Sequence, residues 1–249
     1  MTSRGWIAGV LLLAWTSPAA LAEGLSASYR LSWAGLEIGE IEASVTQRGQ
    51  AYRVTWQGRT TGLADTLFPF ASAGSSEGRY RDGRFMSERF AGRSRWDDGA
   101  STWRVAFAPD GRAAVVELSP EPSQQGREPV PPELRVAPDP MALLLTGMAR
   151  AGPGVRIDGT SFDGRRATRF TLACDPAMAA GELACTVERR LLAGSSRRAS
   201  AAAREPARIW LRPDVRAGTW WPVRAEVPTR VGTIKMWLVR AERHAHIEG

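Results

Sequence analysis

The sequence predicts an all-β protein: an antiparallel, strongly curved sheet, barrel-like or spiral, with one short helix and one disulfide. Three observations carry this. Apolar and polar residues alternate over long stretches, the period of a strand with one buried face. Asp-Gly pairs recur at Asp82-Gly83, Asp98-Gly99, Asp110-Gly111, Asp158-Gly159 and Asp163-Gly164, and such pairs supply the positive φ angles of tight hairpin turns. No Gly-rich phosphate loop follows any strand, which argues against βαβ units.

The chain opens with Arg4, an apolar run from Trp6 to Trp15, Pro18, and the triplet Ala20-Leu21-Ala22. A basic start, a short apolar core and a small-x-small site are what signal peptidase reads. The core is shorter than the roughly 20 apolar residues that span a bilayer. The expectation is a signal peptide over residues 1–22, cleaved after Ala22, and a single β-rich extracytoplasmic domain over residues 23–249. No Cys follows the site to take a lipid, and no later segment is long and apolar enough to span.

The first strand shows the alternation most clearly. Leu25, Ala27, Tyr29, Leu31 and Trp33 share one face and Ser26, Ser28, Arg30 and Ser32 the other. Tyr52, Val54 and Trp56, then Trp103, Val105 and Phe107, repeat it, which assigns Trp33, Trp56 and Trp103 to the core. Between Leu36 and Val45 the phase changes at Gly39, the mark of a bulge or bend that lets a sheet curl. Ile234, Met236 and Leu238 give the final strand. A helix is expected from Asp139, with Asp139 as its cap, Pro140 in the first turn and Met141, Leu144, Leu145 and Met148 as its apolar stripe; it should plug an open end of the sheet. Proline-rich Ser119 to Pro138 reads as an extended surface crossing between two β halves, and Ala193 to Glu205 as a solvated, arginine-rich loop.

Cys174 and Cys185 are the two cysteines. In an oxidising compartment such a pair forms a disulfide, and the turn-rich segment between them allows the chain to fold back.

Several stretches, in order, resemble a bacterial family of exported proteins catalogued as a domain of unknown function, number 3108. They are Tyr29-Arg30-Leu31 with Gly35-Leu36-Glu37-Ile38-Gly39, Thr60-Thr61-Gly62-Leu63, Ser76-Glu77-Gly78-Arg79-Tyr80, and Asp139-Pro140. Further on come Asp163-Gly164-Arg165-Arg166 with Cys185 downstream, Ile209-Trp210-Leu211, Pro222-Val223-Arg224 and Val231-Gly232-Thr233. The resemblance implies a periplasmic β-rich protein and carries over no catalytic residue.

Chemistry is sparse. His244 and His246 are the only histidines. Ser75 in Gly74-Ser75-Ser76-Glu77 is not a nucleophile elbow, so no catalytic triad is expected. His244-x-His246 could offer two imidazoles beside Glu242 and Glu248, but a solvated, frayed tail is the simpler expectation; no metal site and no cofactor are predicted. Asp97, Asp98, Glu37, Glu40 and Glu42 read as turn and solvated-face residues rather than a catalytic carboxylate pair. Basic residues number 33 against 26 acidic, and Lys235 is the sole lysine. That bias fits GC-rich coding first; its functional reading is an anionic envelope partner, while scattered arginines and export argue against nucleic acid.

The aromatics point furthest. The chain holds ten tryptophans, two of them in the leader. Adjacent Trp220 and Trp221 should face opposite sides of their strand, leaving one ring free to line a cavity mouth with Phe68 and Phe70. Arg212, Arg216 and Arg224 would meet an anionic headgroup at the rim. The function expected is a non-enzymatic cell-envelope protein that binds a lipophilic or anionic envelope ligand. The alternatives are a docking module without a pocket, using Arg197, Arg198 and Arg204, or an enzyme of unrecognised type.

Overall fold

In the computed structural model the described residues are 22–125, 127–194, 205–214, 218–229 and 232–246. The strands are β1 (Ala22–Trp33), β2 (Leu36–Arg48), β3 (Ala51–Thr60), β4 (Phe70–Arg81), β5 (Arg84–Trp96), β6 (Gly99–Phe107) and β7 (Ala113–Ser119). After the crossing come β8 (Arg156–Phe162), β9 (Ala167–Cys174), β10 (Leu183–Ala193), β11 (Ala207–Asp214), β12 (Thr219–Thr229) and β13 (Gly232–His246). Helix α1 spans Gly62–Leu67 and helix α2 spans Pro140–Arg150. None of the described helices is long and apolar enough to cross a membrane.

The thirteen described strands form one antiparallel, unclosed sheet in the order β7-β6-β5-β4-β3-β2-β1-β13-β12-β11-β10-β9-β8. Two meanders are therefore joined in the middle by β1 against β13. Alternation explains the burial: Ala27, Tyr29, Tyr52, Val54, Val105 and Phe107 are all buried. The phase change at Gly39 is a bulge: Leu31 pairs with Gly39 and Ser32 with Glu37, leaving Ile38 as the extra residue. The site is crowded as well as bent, since a Cβ on Gly39 would fall 2.6 Å from the Arg59 carbonyl oxygen.

Curvature brings the two ends of the sheet together. Phe90, Val105 and Phe107 from one end pack with Phe162 and Ala167 from the other. The proline-rich crossing runs between the halves, as expected, but not only over the surface: Val130 and Ala137 are buried in that same cluster. Helix α2 packs against β5, β8 and β12, inside the curve and touching both halves. Its Ala142, Leu145 and Met148 join Tyr52, Val54 and Phe85 in a second cluster. Leu144, assigned to the apolar stripe, is exposed instead; its neighbour Leu143 lies over Gly159, where a Cβ would come within 2.4 Å of it.

Four further readings change. Asp158-Gly159 is not a turn; it lies inside β8, where Asp158 accepts a hydrogen bond from the Thr171 hydroxyl on β9 and Gly159 makes room for Leu143. The tail is not frayed as far as His246: β13 pairs with β1 through Gly24–His244 and Ala22–His246. Trp33 is 38% exposed at the end of β1 rather than buried in the core. Helix α1 was not foreseen. The cysteine reading holds: Cys174 and Cys185 face each other across β9 and β10 and are disulfide-bonded.

Candidate functional site

Strand direction settles which of the expected ligand residues meet. β1 ends where β2 and β13 begin, so in the meander the β3–β4 link lies at that end of the sheet and the β11–β12 turn at the opposite end. Phe68 and Phe70, in the β3–β4 link and at the start of β4, are thus at the far end of the strands from Trp220 and Trp221. They do not share a cavity mouth with the tryptophans.

Near the β11–β12 turn the structure does bring Trp221 and Arg212 together. They line a groove of about 400 Å³ with Leu25, Leu238, Ala241, Val223, Pro213, Asp214 and Arg243. The β1–β13 register, with Leu25 opposite Arg243 and Tyr29 opposite Leu238, builds one wall. β12 builds the other, where Trp210 pairs with Arg224 but Leu211 with Pro222, so Val223 is an extra residue in the ladder. That irregularity lies past Trp221: Trp220 and Trp221 pair in unbroken register with Pro213 and Arg212, so they leave the strand on opposite sides, yet both indoles are partly buried, Trp221 against the Tyr52–Phe85–Leu145 cluster and Trp220 against the cluster of the disulfide, Leu183 and Leu211. Tyr29 donates its hydroxyl proton to the Pro222 carbonyl at 3.1 Å, and burial pushes its phenol well above the ordinary range. The Trp221 indole lies beside that phenol and opposes the rise; its N–H is buried.

The charges at this groove are arranged in pairs. Arg212 bonds Glu182 at 3.0 Å, and Arg243 bonds Asp214. Arg224 is not at the rim: its guanidinium sits 3.6 Å above the Trp210 ring, a cation–π contact that the sequence does not show. Arg216, Arg197, Arg198 and Arg204 lie outside the described residues. Leu25, Leu238, Asp214 and Arg243 were missed because only the pairing of the first strand with the last brings them here.

At the other end, Leu63, Leu67, Phe68 and Phe70 are exposed, Phe68 by 75%. α1 buries none of its residues. Phe70 lines a shallow depression of about 620 Å³ with Trp96, Arg59, Arg95 and Asp97. A neighbouring trough of about 650 Å³ has Ala71 and Ala73 in its floor and Arg93 and Arg95 along one side; across it Arg59 is held by Glu40 at 2.6 Å.

Among the described residues one acidic side chain is fully buried, Asp139. Its Oδ1 accepts from the backbone N–H groups of Met141 (2.8 Å) and Ala142 (3.1 Å), capping α2. Its Oδ2 accepts from Ser76 (2.8 Å) and Ser87 (2.6 Å). Burial raises its pKa above the ordinary carboxyl range, opposed by these hydrogen bonds. With both oxygens occupied by protein donors, this carboxylate fastens α2 to β4 and β5. Among the described residues no group of three or more His, Cys, Asp or Glu is placed to hold a metal.

The model of a family described as a protein of unknown function, DUF3108, matches residues 28–239. The chain belongs to the DUF3108 family. Residues 28–239 reach from within β1 to within β13, so this DUF3108 chain carries both meanders and the joint between them inside the family region. No curated protein matches it. Its fold is similar to that of a crystal structure titled as a beta-barrel-like protein of the domain of unknown function DUF1849 from Brucella abortus. That likeness has a TM-score of 0.55 at 13% identity and covers 90% of this chain and 98% of the other. At that identity it speaks for the fold of the DUF3108 chain alone.

Proposed function

We propose that this protein is a non-catalytic binding protein of the cell envelope that holds an amphipathic ligand in the groove between β1, β13, β12 and β11. The observation that carries the reading is an apolar wall of Leu25, Trp221, Val223, Leu238 and Ala241 beside Arg212, Arg243 and Asp214. An acyl or similarly apolar part fits the wall, and a polar end fits the ion pairs. Export through a signal peptide at residues 1–22 and one mature domain over 23–249 complete the proposal; the leader's charge and apolar run and the Cys174–Cys185 bridge support it.

The test is native mass spectrometry of protein purified from its own envelope, followed by solvent extraction. The expected result is a stoichiometric extra mass that extracts as an amphiphile and is lost in Trp221→Ala. Protein that carries no extra mass and does not bind a fluorescent fatty-acid probe would reject the groove as a ligand site.

The exposed Leu63, Leu67, Phe68 and Phe70 favour a second reading, an interaction module that docks through α1. Replacing Leu67 and Phe68 by Ser would then abolish association with the partner while leaving ligand mass and thermal stability unchanged.

A further inference from the structure

The turn between β8 and β9, residues Asp163 to Arg166, inserts at the seam where the two ends of the sheet meet. Gly164 has φ +90 and lies under Val105 and Leu118; a Cβ there would fall 2.9 Å from the Val105 side chain. Asp163 Oδ1 accepts from the backbone N–H groups of Arg165 (2.8 Å) and Arg166 (2.6 Å), so that oxygen is committed to shaping the turn.

Three guanidinium groups gather around this turn. Arg165 reaches across the seam, where its Nη2 donates to the carbonyls of Thr102 (3.0 Å), Ser119 (2.9 Å) and Pro120 (3.2 Å). Those acceptors are all neutral, and the Arg165 Nε is buried without any partner. Arg127 arrives from the crossing segment and donates to the Gly194 carbonyl at 3.3 Å. Gly194 in turn is pressed on the turn itself: a Cβ on it would fall 2.0 Å from the Arg165 carbonyl oxygen and 2.9 Å from the Arg166 Cα. Arg166 is half-buried, and no hydrogen bond or ion pair of its side chain is formed among the described residues. Burial first, then neighbouring arginines, lowers the pKa of Arg127 and Arg165, and Asp163 is the acid that opposes this.

Clamping the seam uses only Arg165 Nη2. It leaves the Arg165 Nε and the Arg166 fork with no acceptor, in a half-buried setting where like charges repel. We infer that Arg127, Arg165 and Arg166 form an oxyanion site that takes a phosphate group, as inorganic phosphate or a phosphate monoester. Guanidinium forks match phosphate oxygens in pairs, and a dianion would offset the excess positive charge and accept the unspent N–H groups. The site lies at the seam between β6–β7 and β8–β9 and is separate from the Trp221 groove, so either can fail without the other.

The test is thermal unfolding of the mature chain titrated with sodium phosphate, against sodium chloride at matched ionic strength. Phosphate should raise the Tm saturably. Arg166→Gln and Arg127→Gln should weaken its apparent affinity about tenfold or more, the loss expected when a charged, hydrogen-bonded contact is removed; Arg95→Gln, an exposed arginine elsewhere, should not. Phosphorus NMR line broadening on the unmutated protein, displaced by sulfate, gives a second readout if a variant folds poorly. A phosphate effect no larger than that of chloride, together with no line broadening, would overturn the proposal. So would a saturable effect that both substitutions leave unchanged. Flotation with phosphatidic acid and phosphatidylcholine vesicles separates the sources. Binding to the former alone, competed by phosphate, identifies a lipid headgroup; binding of phosphate without vesicle binding identifies a soluble ligand. Both results uphold the site.

Discussion

The Trp56 indole lies over Gly74, so close that a Cβ on the glycine would fall 2.3 Å from the ring. Trp103 covers Gly92 in the same way, again at 2.3 Å. The four residues form one cross-strand row, Trp56–Gly74–Gly92–Trp103, over β3 to β6. Phe90 lies between the two indoles, 5.7 Å from one ring centre and 6.1 Å from the other. Glycine leaves a strand without a side chain to pack; here the neighbouring indoles supply that surface, which is the aromatic rescue of glycine in a curved sheet.

Gly74→Ala should therefore destabilise the fold by about 1–3 kcal/mol, the usual cost of overpacking. The backbone is also close, with the Ala91 carbonyl oxygen at 2.6 Å, so the indole cannot relieve the clash alone. Urea unfolding monitored by tryptophan fluorescence would show it. An unchanged midpoint would mean the ring swings aside freely.

Gly147→Ala should have the opposite sign. Gly147 sits inside α2, and a Cβ there meets only the Leu172 side chain at an ordinary 3.8 Å. Removing helical glycine entropy then stabilises by about 0.5–1 kcal/mol, readable as a higher urea midpoint. Destabilisation would mean that α2 packs more tightly on β9 than this distance allows.

Asp139→Ala removes the acceptor for two helix N–H groups and two serine hydroxyls at once. A loss of about 3 kcal/mol is expected from the cap and the stranded buried donors together. Asp139→Asn keeps the cap, and Ser76 and Ser87 can turn to accept, so it should lose about 1 kcal/mol. The pH dependence has a definite sign. Burial raises the folded-state pKa, so this group's favourable contribution is complete below the ordinary carboxyl pKa of about 4 and is lost as pH rises through the raised value. Stability relative to Asp139→Asn should fall over that interval; a rise would mean that the hydrogen bonds outweigh burial.

Reducing Cys174–Cys185, or replacing both with Ser, should cost about 3 kcal/mol, given a sequence separation of 11 and the loop entropy it implies. Thiol alkylation without reductant should leave the intact mass unchanged; labelling of both cysteines would show that the bridge is absent from the isolated protein.

What the sequence showed and what it hid divide along a physical line. Alternation placed Tyr29, Tyr52, Val54 and Phe107 in the core because period two is local information. Asp139-Pro140 marked a helix start because capping is local too. Trp220 and Trp221 alternate as adjacent strand residues do, but each indole packs against a cluster of its own, and which strands supply those clusters is not local information. Phe68 and Phe70 were grouped with them by composition, whereas strand direction puts them at opposite ends. Asp158-Gly159 imitated a turn because a glycine needed for clearance under Leu143 has the same letter as one needed for positive φ. Leu25 and Leu238 face one groove only through a pairing that spans nearly the whole chain.

That pairing also orders events in time. Of the described strands β1 is the first to be synthesised and β13 the last, yet each is the other's neighbour at the centre of the sheet. Until β13 emerges, one long edge of β1 has no partner, and β1 to β7 can assemble only as a sheet open on that side. Contacts of such sequence separation form slowly, and an exposed strand edge is a template for aggregation while it waits. Completion of the sheet therefore comes after synthesis of the last strand, and a chaperone that shields the edge of β1 would act in that interval.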